Sequence, residues 1–211
     1  MRQSAHSNQQ TVSTFKPQLG DITVAHAQLM QWILETYEQQ GEWPDQAALM
    51  MAPGYEQALV QDLQRWQLLA WDADERVRAP DNWIRLPVIG AVAAGVPIEA
   101  IEHQQGQLVL PLELFRERPT YLLRVRGDSM KDAGILDGDL IAVRKSPQAG
   151  EGKIVVARVD NEVTVKRLQR VGDQVALMPE NSAYQPIMVA PEDLVIEGLF
   201  VGVVRERKTL H

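Results

Sequence analysis

The chain has 211 residues, a formal net charge of −7, 45% hydrophobic residues and 23% charged residues, a balance typical of a globular protein with one large or two modest domains. The lack of cysteine excludes disulfides, thiol nucleophiles and Cys-ligated zinc, and four scattered histidines indicate neither a metal site nor a cofactor. No apolar run approaches the ~18 residues that a membrane helix needs, and the N-terminus lacks the layout of a signal peptide. We therefore expect a cytoplasmic protein without membrane contact.

The first third of the chain has a helical pattern. Residues 1–21 are polar and without apolar periodicity, which predicts a disordered leader. From Val24 to Tyr37 apolar residues recur at helical spacing and Gly41 follows as a stop, so the first helix is amphipathic. A second, short helix fits residues 44–51. A third is predicted to open at Pro53, with an apolar face of Leu59, Val60, Leu63 and Trp66.

A small hairpin follows the predicted helices, with residues 68–71 and 76–78 flanking a turn at 72–75. Three helices and a hairpin are the outline of a winged helix-turn-helix, whose third helix would lie in the major groove of DNA. Helical domains that bind only protein show the same order. Through Leu86, six basic residues stand against eleven acidic ones, which weighs against strong nonspecific DNA binding because lysine and arginine supply most of that affinity.

From Leu86 onward the pattern changes to short apolar stretches separated by Gly, Asp, Asn and Pro, which predicts a mostly antiparallel β domain. Asp137–Gly138 and Asp160–Asn161 have the composition of tight hairpin turns. The fold class is therefore α+β with two domains, a winged helix-turn-helix at 22–78 and a β domain at 87–211, joined by a linker at 79–86. Strands are predicted at 121–125, 139–143, 154–159, 163–168, 174–178 and 194–204.

Ser129 is a candidate nucleophile. It stands in Gly127–Asp128–Ser129–Met130, just past a predicted strand and near a glycine that lets backbone amides approach a ligand. The N–H groups of Ser129 and Met130 would then be placed to stabilise an oxyanion. Taken alone, the same motif is more often a turn serine.

Lys166 is a candidate general base. In the predicted strand 163–168, alternation places Lys166 on the same face as Leu168, which is compatible with burial. Burial lowers the pKa of a lysine from about 10.4 by as much as ~3–5 units, so that the neutral amine can deprotonate a serine. The alternative is an ordinary solvated lysine on a strand.

Residues 88–97 are small or apolar and carry no charge. Such a segment can enter a narrow active site in extended form, because alanine and glycine add no bulk beside a scissile bond. The alternative is a buried strand that ends at a glycine turn.

Ala94–Gly95, Ser129 and Lys166, in this order, resemble the cleavage site and the serine/lysine dyad of LexA and related S24-family peptidases. The resemblance implies that Ser129 attacks, that Lys166 is the base and that the Ala94–Gly95 bond is the substrate, with Val92 and Ala93 in the subsites before the cut. It runs from Leu86 to about Arg205. The stretches that resemble the family, in the same order, are 122–125, 129–132, 137–140, 155–158, 162–168, 179–182, 196–199 and 201–203.

The same resemblance implies a partner set and a mode of regulation. The peptidase domain would hold a homodimer, which represses DNA-damage (SOS) response genes by binding double-stranded operator DNA. A RecA filament on single-stranded DNA would stimulate the cut by stabilising the state in which the cleavage loop is docked, which is a shift of populations. The protein would then be a serine endopeptidase that acts on its own chain.

The head resembles the family over residues 51–71, although residues 54–58 differ where base contacts are expected. Gln57 is a candidate for an adenine edge, Tyr55 for a phosphate or a thymine methyl group, and Arg65, Arg76 and Arg78 for phosphates. Two alternatives remain. One is a UmuD-like protein, which normally has only a short arm in place of the helical region 24–71. The other is a self-cleaving paralogue whose acidic head binds protein rather than operator DNA.

Overall fold

The computed structural model of the protein describes residues 21–90 and 106–205. The head consists of helices α1 (Val24–Gln40), α2 (Gln46–Met50) and α3 (Gln57–Arg65), followed by the antiparallel strands β1 (Ala70–Trp71) and β2 (Val77–Arg78). Three helices and a hairpin were predicted in this order, and the structure confirms them. The predicted leader 1–21 lies outside the described residues except for its last residue.

Helix α1 has well-defined ends. At its start the Thr23 side chain accepts a hydrogen bond from the backbone N–H of His26, and the His26 ring accepts one from the backbone N–H of Thr23. This reciprocal arrangement satisfies two amides that a helix end leaves open. At its end Gly41 adopts the left-handed conformation with φ 73°, as expected for a glycine that stops a helix.

Helix α3 begins later than predicted, at Gln57 rather than at Pro53. Gly54 has φ 68°, a left-handed conformation that interrupts a helix. The backbone N–H of Tyr55 bonds to the carbonyl of Ala52 in a turn. The predicted apolar face is confirmed, because Leu59, Val60, Leu63 and Trp66 are all buried.

The β domain contains one twisted sheet of nine strands in the described part of the chain, in the order β10-β9-β8-β7-β11-β6-β5-β3-β4. All neighbouring strands are antiparallel except β3 and β5, which confirms the mostly antiparallel prediction. The strands are β3 (Trp83–Ile89), β4 (Gln107–Pro111), β5 (Tyr121–Arg124), β6 (Leu140–Lys145), β7 (Ile154–Val159), β8 (Glu162–Val171), β9 (Gln174–Met178), β10 (Ile187–Val189) and β11 (Val195–Val204).

Two further local predictions need correction. Strand β3 begins at Trp83, inside the predicted linker 79–86, because the apolar side chains of Trp83 and Leu86 are buried in the core. Asp137–Gly138 is a turn with φ 84° at the glycine, but it ends the long connection 125–139 and does not join two strands as a tight hairpin. The turn at Asp160–Asn161 does join β7 to β8, and both residues are left-handed.

The head packs directly on the β domain. Helix α1 lies against β4, and one continuous apolar core contains Leu29, Met30 and Ile33 together with Leu108 and Leu110. The backbone N–H of Val24 donates to the carbonyl of Arg205 at 2.8 Å, and the Arg85 guanidinium binds both carboxylate oxygens of Glu38 at 2.7 Å. No helix in the described ranges is long and apolar enough to cross a membrane.

Candidate active site

The side chains of Ser129 and Lys166 are in contact. Nζ of Lys166 lies 2.8 Å from Oγ of Ser129, 2.8 Å from Oγ1 of Thr164 and 3.0 Å from the carbonyl oxygen of Val165. Three polar partners satisfy the amine in a position where only 6% of the lysine is exposed. Two residues that are far apart in sequence are thus brought within hydrogen-bond distance by the fold.

The burial of Lys166 follows from its position on β8. Leu168 on the same face is 4% exposed, as strand alternation predicted. Because the charged form of an amine loses hydration in this environment, burial lowers the pKa of Lys166 below that of an ordinary lysine. A lowered pKa makes the neutral amine available at lower pH, which is the form that accepts a proton.

Ser129 lies on a loop whose conformation is set by its neighbours. Gly127 has φ 83°, which favours glycine, and its N–H donates to Oδ1 of Asp137 at 2.7 Å. The carbonyl of Ser129 accepts a hydrogen bond from the N–H of Glu180 at 2.8 Å, and the carbonyl of Glu180 accepts one from Asp132. The serine is therefore fixed on both sides by backbone hydrogen bonds.

Met130 completes the candidate oxyanion region. Its side chain is 2% exposed and belongs to an apolar core under the loop. Among residues 21–90 and 106–205, no acceptor is found for the backbone N–H groups of Ser129 and Met130. Their role as donors to an oxyanion near the serine stays a prediction.

Two residues that sequence reasoning did not single out hold this loop in place. The buried side chain of Asn181 donates from Nδ2 to the carbonyl of Asp128 at 3.1 Å and to its Oδ2 at 3.2 Å. Tyr184 donates from its hydroxyl to Oδ1 of Asp128 at 2.6 Å, and this bond lowers the pKa of the Asp128 carboxyl. The sequence resemblance at residues 179–182 pointed to this region, but it assigned no role to any of these residues.

A cleft of about 550 Å³ opens beside Ser129 and Lys166. Its lining is mixed, because apolar groups stand beside the polar and charged groups of the loop. Gly90, the last residue described before the 91–105 gap, is part of the lining because β3 pairs in parallel with β5. Further lining residues are Leu123, Val163, Val165, Tyr184 and Ile187.

The four residues of the predicted cleavage segment, Val92, Ala93, Ala94 and Gly95, lie outside the described residues. In the described ranges, no group of three or more His, Cys, Asp or Glu side chains is placed for a metal ion.

Each of the three arginines predicted to contact DNA is paired with a carboxylate. Arg65 binds Asp62 at 2.6 Å, Arg76 binds Glu42 at 3.0 Å and Arg78 binds Asp72 at 2.9 Å.

The two predicted base-contacting residues differ in exposure. Gln57 is exposed at the start of α3, whereas Tyr55 is half-buried against the core. Because Arg65, Arg76 and Arg78 are each paired with a carboxylate, their positive charges are partly neutralised within the head.

Comparison with known proteins gives consistent matches. A family model described as Peptidase S24-like matches residues 87–201. The LexA repressor of Alcanivorax borkumensis is 60% identical over 121 residues, which cover 57% of this chain and 59% of the relative. For the LexA repressor of Bordetella avium the values are 54% over 121 residues, with 57% of each chain covered.

The match to these two relatives thus spans less than two thirds of their length. The LexA repressor of Thiobacillus denitrificans is 41% identical over 198 residues, which cover 90% of this chain and 99% of the relative. This alignment includes the helical head as well as the β domain. The chain therefore belongs to the LexA repressors, whose β domain is that of the peptidase S24-like family.

Proposed function

We propose that the protein is a LexA-type repressor of DNA-damage (SOS) response genes that ends its own repression by cutting its Ala94–Gly95 bond. Ser129 is the nucleophile and Lys166 is the general base. The proposal rests on one observation above all, the 2.8 Å contact between Nζ of a buried lysine and Oγ of this serine. The head at 22–78 binds the operator, and the β domain at 87–211 carries the peptidase and the dimer contacts.

The reaction is an acyl transfer followed by hydrolysis. Oγ of Ser129 attacks the carbonyl carbon of Ala94 while neutral Lys166 takes the serine proton. The Lys166 ammonium then gives this proton to the departing nitrogen of Gly95, and the C–N bond breaks to leave an ester on Ser129. A water molecule, deprotonated by Lys166, hydrolyses the ester and restores the serine.

The site supplies electrostatic assistance to both steps. The N–H groups of Ser129 and Met130 stabilise the oxyanion of each tetrahedral intermediate. A neutral amine that donates its two N–H bonds to Thr164 and Val165 would keep its lone pair for the serine hydroxyl, which lies 2.8 Å away. This geometry supports a role for the lysine as the proton acceptor.

Cleavage within one molecule is supported by the position of β3. This strand ends beside the cleft, and Gly90 contributes to the cleft wall only a few residues before Ala94. Holding a substrate next to the nucleophile replaces a bimolecular encounter and lowers the entropic cost of the reaction. A RecA filament on single-stranded DNA would act by shifting the protein toward the docked state.

Repression follows from having two heads in one dimer. Tethered heads gain effective concentration on an operator with two half-sites, so that the covalent link between head and β domain matters for affinity. We place the dimer contacts at residues 197–204 on β11. The comparisons favour neither the UmuD-like alternative nor the alternative of a head that binds protein.

The peptidase part is tested by incubating the purified protein at pH 7–10 and measuring fragment masses. We expect products that correspond to residues 1–94 and 95–211. The Ser129→Ala and Lys166→Ala variants should stay intact at every pH, while the control Lys153→Ala, at an exposed lysine, should cut like the wild type. Wild-type protein that remains whole under alkaline incubation would contradict the assignment.

The repressor part is tested by electrophoretic mobility shift with promoter DNA, including the promoter of the gene itself. Sequence-specific binding that weakens with salt supports operator recognition. No binding across promoters of damage-response genes would instead favour a head that binds protein.

A further inference from the structure

The strands that position Ser129 and Lys166 are not neighbours in the sheet. Lys166 lies on β8, whereas Ser129 lies on the connection that follows β5, and β7, β11 and β6 separate β8 from β5. Hydrogen bonds between adjacent strands therefore do not set the distance between the two side chains directly. Because a lysine side chain is long and flexible, its terminal contact with Ser129 does not by itself fix the serine loop relative to β8.

Glu180 connects the serine loop to the neighbourhood of β8. Its backbone N–H donates to the carbonyl of Ser129 at 2.8 Å, and its carbonyl accepts a hydrogen bond from the N–H of Asp132 at 2.8 Å. Glu180 follows the end of β9, which pairs with β8 so that Met178 lies opposite Arg167. The residue that holds the serine loop therefore stands beside the strand that carries the lysine.

The side chain of Glu180 is bound by Arg167, the residue directly after Lys166. Nε of Arg167 donates to Oε1 of Glu180, and Nη1 donates to the carbonyl of Gly152 at 2.7 Å. The N–H of Gly152 donates in turn to the carbonyl of Leu168 on β8 at 2.8 Å. Because a guanidinium group is planar and rigid, these two donor contacts fix its orientation.

Ser129 and β8 are thus joined twice, once by the hydrogen bond between Oγ and Nζ of Lys166 and once through Glu180 and Arg167. We propose that Arg167 and Glu180 form a positioning pair, which holds the serine loop at the distance from β8 that the Ser129–Lys166 contact requires. Neither residue of the pair lines the cleft, so the pair acts through Ser129 and Lys166. Its effect on cleavage rests on the proposed function.

The pair should matter more for the rate of cleavage than for stability. The side chains of Arg167 and Glu180 are 32% and 29% exposed, and an ion pair with this exposure contributes little to the free energy of unfolding. A small displacement of a nucleophile from its general base, in contrast, costs a large factor in rate. We therefore expect removal of the pair to slow self-cleavage strongly in a protein that remains folded.

The first test measures self-cleavage at a series of pH values for Arg167→Ala, Glu180→Ala and the double variant. Each single variant should lower the maximal rate about tenfold, and the double variant should be no slower than the single ones, because the two residues act as one unit. The midpoint of the pH profile should stay in place, because burial rather than Arg167 lowers the pKa of Lys166. Multiplied losses in the double variant, or a loss that consists only of a moved midpoint, would overturn the inference.

Glu117→Ala is the matched control. It breaks the ion pair of Glu117 with Arg144, whose side chains are also partly exposed and which does not line the cleft. This variant should cut at the rate of the wild type. Urea unfolding of all variants verifies that the folded fraction at the assay conditions is unchanged. Equal slowing by Glu117→Ala would show that loss of any surface ion pair has the same effect.

The second test measures the geometry without the reaction. In the Ser129→Ala background, which prevents cutting, Arg167→Ala should speed hydrogen exchange of the amides of Asp132 and Glu180 at least about tenfold, whereas Glu117→Ala should not. Unchanged exchange would show that the serine loop is held without the pair. If the wild type fails to cut itself, the self-cleavage proposal fails, and the exchange rates still decide whether Arg167 and Glu180 position the loop.

Discussion

The hydroxyl of Tyr184 donates a 2.6 Å hydrogen bond to Oδ1 of Asp128, the residue directly before the candidate nucleophile. Asn181, from the same segment as Tyr184, binds both the carbonyl and the carboxylate of Asp128. Because the Glu180 N–H also donates to the carbonyl of Ser129, segment 180–184 acts as a support for the serine loop. The position of the serine relative to Lys166 therefore depends on residues that do not touch the lysine.

Replacing Asn181 tests this support. Asn181→Ala removes a buried donor to Asp128 and should lower the free energy of unfolding by about 1–3 kcal/mol. It should also slow self-cleavage about tenfold, because a small displacement of a nucleophile costs a large factor in rate. Urea unfolding and the rate of fragment formation measure the two effects. The exposed neighbour Ser182→Ala is the control, and an unchanged cleavage rate in Asn181→Ala would contradict a positioning role.

The pH profile of cleavage follows from the lowered pKa of Lys166, which burial causes. The rate should rise with pH as the amine loses its proton, and it should level off below pH ~10.4, the ordinary lysine value. Fragment formation at a series of pH values gives the midpoint. A rate that keeps rising tenfold per pH unit beyond pH ~10.4 would show that alkali, rather than Lys166, removes the serine proton.

Stability should depend on pH through the same group. With the folded pKa below the unfolded one, the unfolded chain binds more protons between the two values, so stability rises with pH across that window. In a Ser129→Ala background, which prevents cutting, Lys166→Met should remove this rise. As pH increases from 7 to 10, the free energy of unfolding of the protein with Lys166 should therefore increase relative to that of the Lys166→Met protein. Parallel curves would mean that Lys166 keeps an ordinary pKa.

Much of the fold was predictable because local patterns agreed with the packing. Alternation along 163–168 placed Lys166 beside Leu168 on a buried face, and the structure confirms this. The resemblance to S24 peptidases selected Ser129 from the other serines, and the fold brings it to Lys166. No local pattern can show that a side chain on a loop and a side chain on a distant strand meet after folding.

Other features were missed because they depend on tertiary contacts. β3 was assigned partly to a linker, since the Pro and Asp signals at 79–82 were given more weight than the apolar residues Trp83 and Leu86. Pro53 was predicted to lie in the first turn of α3, but the left-handed conformation of Gly54 prevents the helix from beginning there. The pairing of arginines with carboxylates in the head was also invisible, because Glu42 and Arg76 meet only after folding.

This last pair leads to a prediction about DNA binding. Glu42 is 68% exposed and binds Arg76 at 3.0 Å, so Glu42→Gln should make the charge of Arg76 available to a phosphate while Nη1 still donates to the carbonyl of Trp43. Operator affinity should increase by about two- to fivefold at low salt, and the gain should shrink as salt screens the charges. Fluorescence anisotropy with labelled operator DNA measures the affinity.

Glu151→Gln, an equal change of charge on the β domain, is the matched control for Glu42→Gln. Equal effects of the two variants would mean that total charge, rather than release of Arg76, sets the affinity.

Gly198 on β11 tests the packing at the centre of the sheet. A Cβ atom at this position would lie 2.5 Å from Cγ1 of Val143, 2.8 Å from the carbonyl oxygen of Arg144 and 3.2 Å from the hydroxyl of Tyr121. Two of these distances are too short for any real contact, and β11 is held on both sides by β6 and β7. Gly198→Ala should therefore cost about 1–3 kcal/mol of stability.

The matched control for Gly198→Ala is Gly150→Ala, where the nearest atom to a new Cβ is 3.9 Å away. Thermal unfolding of the two variants in the Ser129→Ala background measures the difference, at roughly 2–4 °C per kcal/mol for a chain of this size. Because β11 also carries the predicted dimer contacts at 197–204, each variant should be measured at two protein concentrations. A loss of stability that is the same at both concentrations assigns the effect to packing within the sheet, whereas equal melting of Gly198→Ala and Gly150→Ala would mean that β11 can shift to admit the methyl group.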